Sequence, residues 1–361
     1  MTTGPTAAPV TVRAPGKVNL SLRVGPPRED GFHPLVTVFQ ALELGEHVTA
    51  APAPRGSTTV RLAQHVDGVP LGASNLAARA AEALRAASGV DAGVELTIHK
   101  SVPAASGMAG GSADAAAALL ACDALWGTDL GAFDLHALAA NLGSDVSFPL
   151  FGGSALGTGR GERLVVMPDV GEWHWVLATQ ATGLSTPAVF GVYDSMHGHP
   201  RGGPPSVPSM LHEPSAPGTP HPGDGRPTTV GPGTAGPGSG GLAPGAHEAA
   251  IGDALADGDP DALGRLLLND LTEPALELRP ELGDVLAAFE RAGALGAVLS
   301  GSGPTVAALA LDARHAASVA AVVRGAEVAD RVLTTTAPAR GAHVVEAAPE
   351  TPANHGAGGA A

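Results

Sequence analysis

A single cysteine, Cys122, in 361 residues leaves no disulfide framework and no multi-cysteine zinc or iron–sulfur site. Aromatic residues are scarce, at 3%, so the cores have to be assembled from Ala, Val and Leu. Basic residues are short too: 20 Lys and Arg face 35 Asp and Glu, a formal net charge of −15. That balance excludes a general nucleic-acid binder, which needs a basic face. It leaves room for a small anion held by a few local donors. No apolar run approaches the ~18 residues of a membrane span. The first 25 residues lack the charged start and apolar centre of a signal peptide. These absences point to a soluble cytoplasmic protein with neither a nucleic-acid nor a membrane partner. What is present is 44% apolar content and length enough for two domains, at roughly 100–200 residues each.

Punctuation organises the chain. Residues 201–245 hold 12 Gly and 11 Pro, so 23 of 45 positions disfavour both helix and strand. Such a run cannot bury enough apolar surface to offset its ordering entropy. The stretch from about 197 to 248 therefore reads as a disordered insertion, and residues 347–361 as a flexible tail. His199, His212, His221 and His247 in or beside the insertion are irregularly spaced and read as loop histidines rather than a metal tract. Alternation predicts two short strands around Pro15-Gly16, from Val10 and from Val18, another at Val94–Ile98, and one at Trp173–Thr179. Ala113–Trp126 has no Gly or Pro and predicts a helix, and Phe133–Leu142 a second one stopped by Gly143. After the insertion, helices are predicted near 247–257, 260–269, 281–292 and 312–324. Strands are predicted at Ala297–Leu299, Thr305–Leu309, Val332–Thr336 and His343–Glu346. This irregular interleaving indicates an α+β protein, divided at about residue 170 into domains of 1–170 and 171–346.

The segment from Lys100 to Asp114 carries the strongest chemical signal. A strand ends, a run of Gly, Ala and Ser follows, and a helix opens near Ser112. Small residues let backbone N–H groups converge on an anion, and a helix start adds free donors. The run fits a phosphate cradle, or a flexible turn with an N-cap at Ser112. It lacks the Gly-Lys-Ser/Thr ending of a Walker A loop. Lys17 and Asn19 share one face of a strand, which is either a functional pair or a solvent face. Asp145 follows a helix stop, where an Asp serves as turn-former or as base. Ser300–Pro304 joins two apolar strands as a tight turn. Cys122, with no cationic neighbour in sequence, reads as an inert thiol.

Taken in order, Pro15-Gly-Lys-Val-Asn19, Pro103 to Asp114 and Ser300 to Pro304 resemble the three signature motifs of the GHMP small-molecule kinases. The resemblance spans residues 9–346 apart from the insertion. Further segments resemble the branch acting on a cytidine-diphosphate-linked methylerythritol. They are Lys17–Leu22, Glu29–His33, Val38–Gln40, Asn75-Leu76, Leu142–Asp145 and Leu184–Pro187. The chain departs from the pattern at Ala105, Ser106 and Ala109, where the family has more glycine, and at Phe32, where it usually has Tyr.

The resemblance implies an α+β two-domain fold, with a ribosomal-protein-S5-like N-terminal domain and a ferredoxin-like C-terminal domain. It implies transfer of the ATP γ-phosphoryl group to a hydroxyl, with Mg²⁺ as cofactor, in a monomer or homodimer. Lys17 and Asp145 would be catalytic, Asp145 as base and Lys17 stabilising charge on the hydroxyl. The nucleotide would be held by Pro103, Ala104, Ala105, Ser106, Gly107, Met108, Ala109, Gly110, Gly111, Ser112 and Ala113, with Asn75, Leu76 and Lys100 near the adenine. Ser112 would also face the metal. Phe32 would stack on cytosine with His33 at its edge, or His33 is a turn residue before Pro34. Asn19 and Thr186 would meet the rest of the acceptor. The alternatives are a homoserine, mevalonate or sugar kinase of the same superfamily, or a non-catalytic nucleotide-binding protein on the same fold.

Overall fold

The computed structural model describes residues 8–199 and 242–346. The tail at 347–361 and the bulk of the insertion, with His212 and His221, lie outside the described residues. The first half runs β1 (Val10–Val24), β2 (Leu35–Ala53), β3 (Thr58–Leu62), α1 (Leu76–Ser88), β4 (Gly93–His99), α2 (Gly110–Trp126), α3 (Ala132–Leu142), α4 (Ser147–Phe151), β5 (Ser154–Gly159) and β6 (Arg163–Met167). Its strands lie in the order β3-β4-β2-β1, with β5 also on β2 and β6 outside it. β1 is one strand, not two. A bulge between Pro15 and Gly16 absorbs the break, and pairing with β2 continues on both sides. β2 gives no alternation to read, because it is buried without interruption from Val36 to Leu42.

Against this sheet lies α2, whose residues from Ala113 to Leu119 are all buried. Alanine is the best helix former, and side chains this small bring the helix close to β1 and β2. A helix apolar all round belongs inside. Cys122 sits within it, its thiol pushed up to about 12 by burial, and is core.

The second half continues with β7 (Trp173–Thr179), α5 (Thr186–Met196), α6 (Ala246–Asp257), α7 (Pro260–Leu266), β8 (Leu268–Asn269), α8 (Thr272–Leu278), α9 (Leu282–Arg291), β9 (Gly296–Leu299), β10 (Val306–Ala310), α10 (Ala313–Gly325), β11 (Arg331–Ala337) and β12 (His343–Val345). Four strands form an antiparallel sheet in the order β11-β7-β10-β9. In chain order that is 4-1-3-2, the ferredoxin-like arrangement, and α9 and α10 pack against it. The chain returns twice to the first sheet: β8 pairs in parallel with Ser21 and Leu22, and β12 pairs with Thr11–Arg13.

A hydrogen-bonded chain also joins the two sheets. The Trp175 indole N–H donates to Gln40 Oε1 at 2.9 Å, and Gln40 Nε2 donates to Asp169 at 3.0 Å. Asp169 further accepts from Trp173 and Ser154. Trp175 and Gln40 are both fully buried. Trp175→Phe removes the donor and strands the Gln40 oxygen, which costs about 1–3 kcal/mol before the cavity is counted. Urea unfolding will show a lower midpoint with an unchanged slope.

Candidate active site

The three motif segments meet at one carbonyl. Lys17, just past the register shift at Pro15/Gly16, donates from Nζ to Gly107 O at 2.8 Å and to Asn19 Oδ1 at 2.6 Å. Ser300 Oγ donates to the same Gly107 O at 3.1 Å. Gly107 has φ +79°, and a Cβ there would sit 2.0 Å from Ser300 O, so only glycine fits. A Cβ on Gly301 would fall 3.1 Å from Lys17 Nζ. The solvent-face alternative for Lys17 and Asn19 is excluded, since each is 2% exposed. An ammonium only donates, which fixes Asn19 with its oxygen toward Lys17 and its Nδ2 toward Thr37 Oγ1, at 2.8 Å. Asn19 is thereby committed to holding Lys17. Burial pushes the Lys17 pKa below 10.5, with the Asp145 charge opposing that shift.

Asp145 lies in the turn between α3 and α4. Its Oδ2 is 3.8 Å from Lys17 Nζ and its side chain is 37% exposed. It is thus both a turn residue and the partner of the buried ammonium. The distance exceeds a hydrogen bond, so both groups keep capacity for a third.

The loop before α2 departs from the sequence reading in one respect. The helix opens at Gly110 and its N-cap is Ala109, so Ser112 lies in the first turn rather than at the cap. Ala105 and Ala109 both adopt positive φ, +50° and +58°. These are positions where the family pattern favours glycine, and the structure gives the reason: both need the left-handed backbone. Thr305 N donates to Ser106 O and Lys17 N to Met108 O, which tie the loop to its neighbours.

Lys100 is placed differently from the expectation of a nucleotide contact. It is 8% exposed, and its ammonium sits 2.6 Å from Glu46 Oε1 and 2.8 Å from Asp114 Oδ2. Glu46 also accepts from Ser101 N at 2.9 Å. Burial, and then the Asp114 charge, push the Glu46 carboxyl up to about 8. Burial likewise raises Asp114. This ion cluster braces the start of the loop and the first turns of α2. Asn75 is also occupied: it caps α1, accepting from Ala77 N and Ala78 N and donating to Pro70 O. Leu76 lies beside Gly111, whose Cβ position would be 3.7 Å from its Cδ1.

On the acceptor side, Phe32 is half-buried with the Arg160 guanidinium 5.0 Å from its ring centroid. His33 Nδ1 donates to Gly25 O at 2.8 Å, while Nε2 faces Asp194 at 3.4 Å. Nδ1 is thus occupied by a carbonyl, whereas Nε2 only approaches the Asp194 carboxylate. Phe190 packs on the His33 ring at 4.9 Å. Thr186 Oγ1 bonds Ser302 Oγ at 2.7 Å, joining α5 to the third loop. Sequence reasoning missed Glu46, Arg160, Phe190, Asp194 and Asn269. None falls in a recognisable spacing, and each acquires its place only through tertiary contact.

Among the described residues, no group of three or more His, Cys, Asp or Glu stands ready to hold a metal. The half-buried Ser112 hydroxyl is one available oxygen in the first turn of α2. That suits Mg²⁺ arriving with a nucleotide, since the ion then draws most of its ligands from phosphates and water.

Fold and site together define a GHMP-type small-molecule kinase. The family models for the GHMP kinases N terminal domain and the GHMP kinases C terminal match residues 75–153 and 252–328. Relatives from Streptomyces coelicolor and a Nocardioides species, both named 4-diphosphocytidyl-2-C-methyl-D-erythritol kinase, are each 47% identical. They cover 93% and 92% of this chain and 99% of their own. The chain belongs to the family of 4-diphosphocytidyl-2-C-methyl-D-erythritol kinases. A crystal structure of 4-(cytidine 5'-diphospho)-2C-methyl-D-erythritol kinase is similar over 90% of this chain and 98% of its own, with a TM-score of 0.62 and 30% identity. Homoserine kinase from Cytophaga hutchinsonii, 19% identical, has a TM-score of 0.64 and covers 96% of this chain and all of its own, which speaks for the shared fold alone.

The alanine at the α2 cap gives a test of the loop backbone. A left-handed L-residue costs roughly 1–2 kcal/mol, and glycine returns part of that as unfolded-state entropy, roughly 0.5–1 kcal/mol. Ala109→Gly is therefore expected to raise stability by about 0.5–1 kcal/mol, seen as a higher thermal midpoint. A lower midpoint would refute the left-handed cap.

Proposed function

We propose that the protein transfers the γ-phosphoryl group of ATP to the 2-hydroxyl of 4-diphosphocytidyl-2-C-methyl-D-erythritol, in the non-mevalonate route to isopentenyl diphosphate. The single observation that carries this reading is the buried Lys17 of β1 facing Asp145 where the strand meets the loop before α2 and the Ser300–Pro304 turn. Phosphoryl transfer asks for alignment and charge stabilisation more than for covalent chemistry. The loop from Pro103 to Ala113 supplies backbone donors and a helix start for the nucleotide phosphates. Asp145, partly exposed beside the ammonium, accepts the proton of the acceptor hydroxyl. Lys17 offsets the negative charge that builds on the transferring group and on that oxygen. Mg²⁺, when bound, neutralises phosphate charge, with Ser112 as one of its oxygens.

Substrate choice rests on Phe32, His33 and Phe190. An aromatic set with a histidine suits a nucleobase, and stacking is worth about 1–3 kcal/mol per base in nucleic-acid sites. Homoserine, mevalonate and simple sugars carry no nucleobase, and that favours the cytidine-linked acceptor. ATP and the acceptor are then the small-molecule partners.

ADP release from purified protein with Mg²⁺-ATP and the cytidine substrate is expected to be robust, with homoserine, mevalonate and galactose inert. Asp145→Asn should lower kcat by about 10²–10⁴-fold. Turnover on homoserine or mevalonate instead would keep the chemistry and overturn the acceptor. The lowered Lys17 pKa adds a second test. In the free enzyme Lys17 loses its proton below pH 10.5, so kcat/KM should fall on the alkaline side at a pH lower than an ordinary lysine would give. The residual activity of Lys17→Ala should lack that limb.

A further inference from the structure

A buried polar side chain needs hydrogen-bond partners, and their identity shows what it is for. Asn269 follows Leu266-Leu267-Leu268 and is 6% exposed. With Leu268 it forms the short strand β8, paired with Ser21 and Leu22 of β1. Its amide has a single consistent orientation. Leu271 N only donates, and it holds Oδ1 at 2.8 Å. Nδ2 is then turned to two carbonyls, Leu299 O and Gly301 O, each at 2.7 Å. Both amide protons are thereby committed to backbone, and none is left for a ligand.

The two carbonyls bracket Ser300. The turn between β9 and β10 closes on itself through Ser300 N to Thr305 O and Gly303 N to Ser300 O, both at 2.9 Å. Those bonds lie within the turn, whereas Asn269 ties it to β8 and so to β1. The Ser300 hydroxyl has one proton. It lies 3.1 Å from Gly107 O and 3.5 Å from Lys17 O, and the nearer oxygen takes it. Gly107 O has two lone pairs, one met by Ser300 and the other by the Lys17 ammonium at 2.8 Å. Gly301 lies against the same bond, since a Cβ there would sit 3.0 Å from Gly107 O and 3.1 Å from Lys17 Nζ. Moving the turn therefore moves Gly107 O, one of the two neutral acceptors that place Nζ.

We propose that Asn269 is a positioning residue for phosphoryl transfer: it holds the peptides on either side of Ser300, and through Ser300 and the Gly107 carbonyl it sets where the Lys17 ammonium stands. This rests on the role given to Lys17 above. With its own amide saturated by backbone, Asn269 acts on the reaction only at one remove. Alignment of reacting groups is where a small displacement costs most, on the order of 10²-fold for about 1 Å. Asparagine suits the position because it brings two donors and an acceptor on a short stem. Aspartate has the same shape and still accepts from Leu271 N, but it sets a carboxylate against two carbonyl oxygens.

The test is a set of double-mutant cycles in steady state, with Mg²⁺-ATP and 4-diphosphocytidyl-2-C-methyl-D-erythritol, each protein assayed below its own thermal midpoint. Asn269→Ala is expected to lower kcat by about 10- to 100-fold while both KM values stay within about threefold. Combined with Ser300→Ala, it should be no slower than the slower single variant, because both break one chain of contacts. In the Lys17→Ala background, Asn269→Ala should cost less than about twofold. A merely structural role would lower the thermal midpoint and cost the same factor in every background. Should Asn269→Ala fail to fold, Asn269→Asp takes its place in the same cycles, with the same losses expected. A kcat within about twofold of wild type overturns the proposal, as does a loss confined to KM or a full loss in the Lys17→Ala background. Wild-type kcat in Lys17→Ala, or no turnover of the cytidine substrate by wild type, would instead defeat the reading on which the proposal rests, and the proposal falls with it.

Discussion

The position of one ammonium governs the site. Lys17 Nζ is buried, and a buried charge is tolerated only when its donors are met. The chain meets them with neutral groups, the Asn19 amide and the Gly107 carbonyl. A carboxylate in place of Asn19 would hold the lysine equally well and cancel its charge. Asp145 stands off at 3.8 Å, so the positive potential remains available to phosphate oxygens. The same Gly107 carbonyl is fixed from the other domain by Ser300. The small-residue loop before α2, the buried lysine and the third loop are therefore set by a single oxygen, and the absence of room for a Cβ at Gly107 follows from that convergence.

The second lysine shows the opposite treatment. Two carboxylates surround Lys100, and the cluster presents no positive charge to the cleft. What it gains is geometry: Glu46 on β2, Lys100 at the end of β4 and Asp114 in α2 are locked together, with Ser101 N bonded to Glu46. A Cβ on Gly110 would meet Glu46 Oε1 at 3.0 Å, so the first turn of α2 lies directly on the cluster. Buried ion pairs are weak evidence for stability. Here the pair fixes where a helix start and its free N–H groups point. One lysine is held mainly by neutral groups and the other is enclosed by carboxylates that fix a helix start.

The sequence was most legible where chemistry and backbone demand coincide. The small-residue run before α2 left a cradle and a flexible turn both open, and it is the family pattern that singles out this run together with Lys17, Asp145 and Ser300–Pro304. The ends of α3 and α6 were legible because Gly143 and Gly258 mark them. β2 was not, since a strand buried on both faces loses its period. β1 read as two strands because Pro15-Gly16 interrupts the apolar residues, whereas pairing with β2 continues through a register shift at that point. Ser112 read as a cap because Ser usually caps, whereas the helix opens on Ala109 through a left-handed backbone that alanine rarely adopts. Arg160 and Asn269 were invisible, because a lone Arg in a glycine turn or an Asn in a leucine run has no local signature.

Asn269 shows why two domains are needed for one site. Its Nδ2 donates to Leu299 O and Gly301 O, each at 2.7 Å, and its Oδ1 accepts from Leu271 N at 2.8 Å. The side chain is satisfied entirely by backbone, which rigidifies the third loop from below. Asn269 itself is held because β8 pairs with Ser21 and Leu22, a few residues along the strand that carries Lys17. The contact between domains is therefore closed into a circuit. β1 positions Lys17 and β8, β8 positions the third loop through Asn269, and the third loop returns to Gly107 beside Lys17. Sliding of the second domain over the first would have to break the β1–β8 pairing or the Ser300–Gly107 bond. The circuit thus fixes Lys17 against the loop before α2 and leaves the side bounded by the β5–β6 turn and α5 outside its constraint.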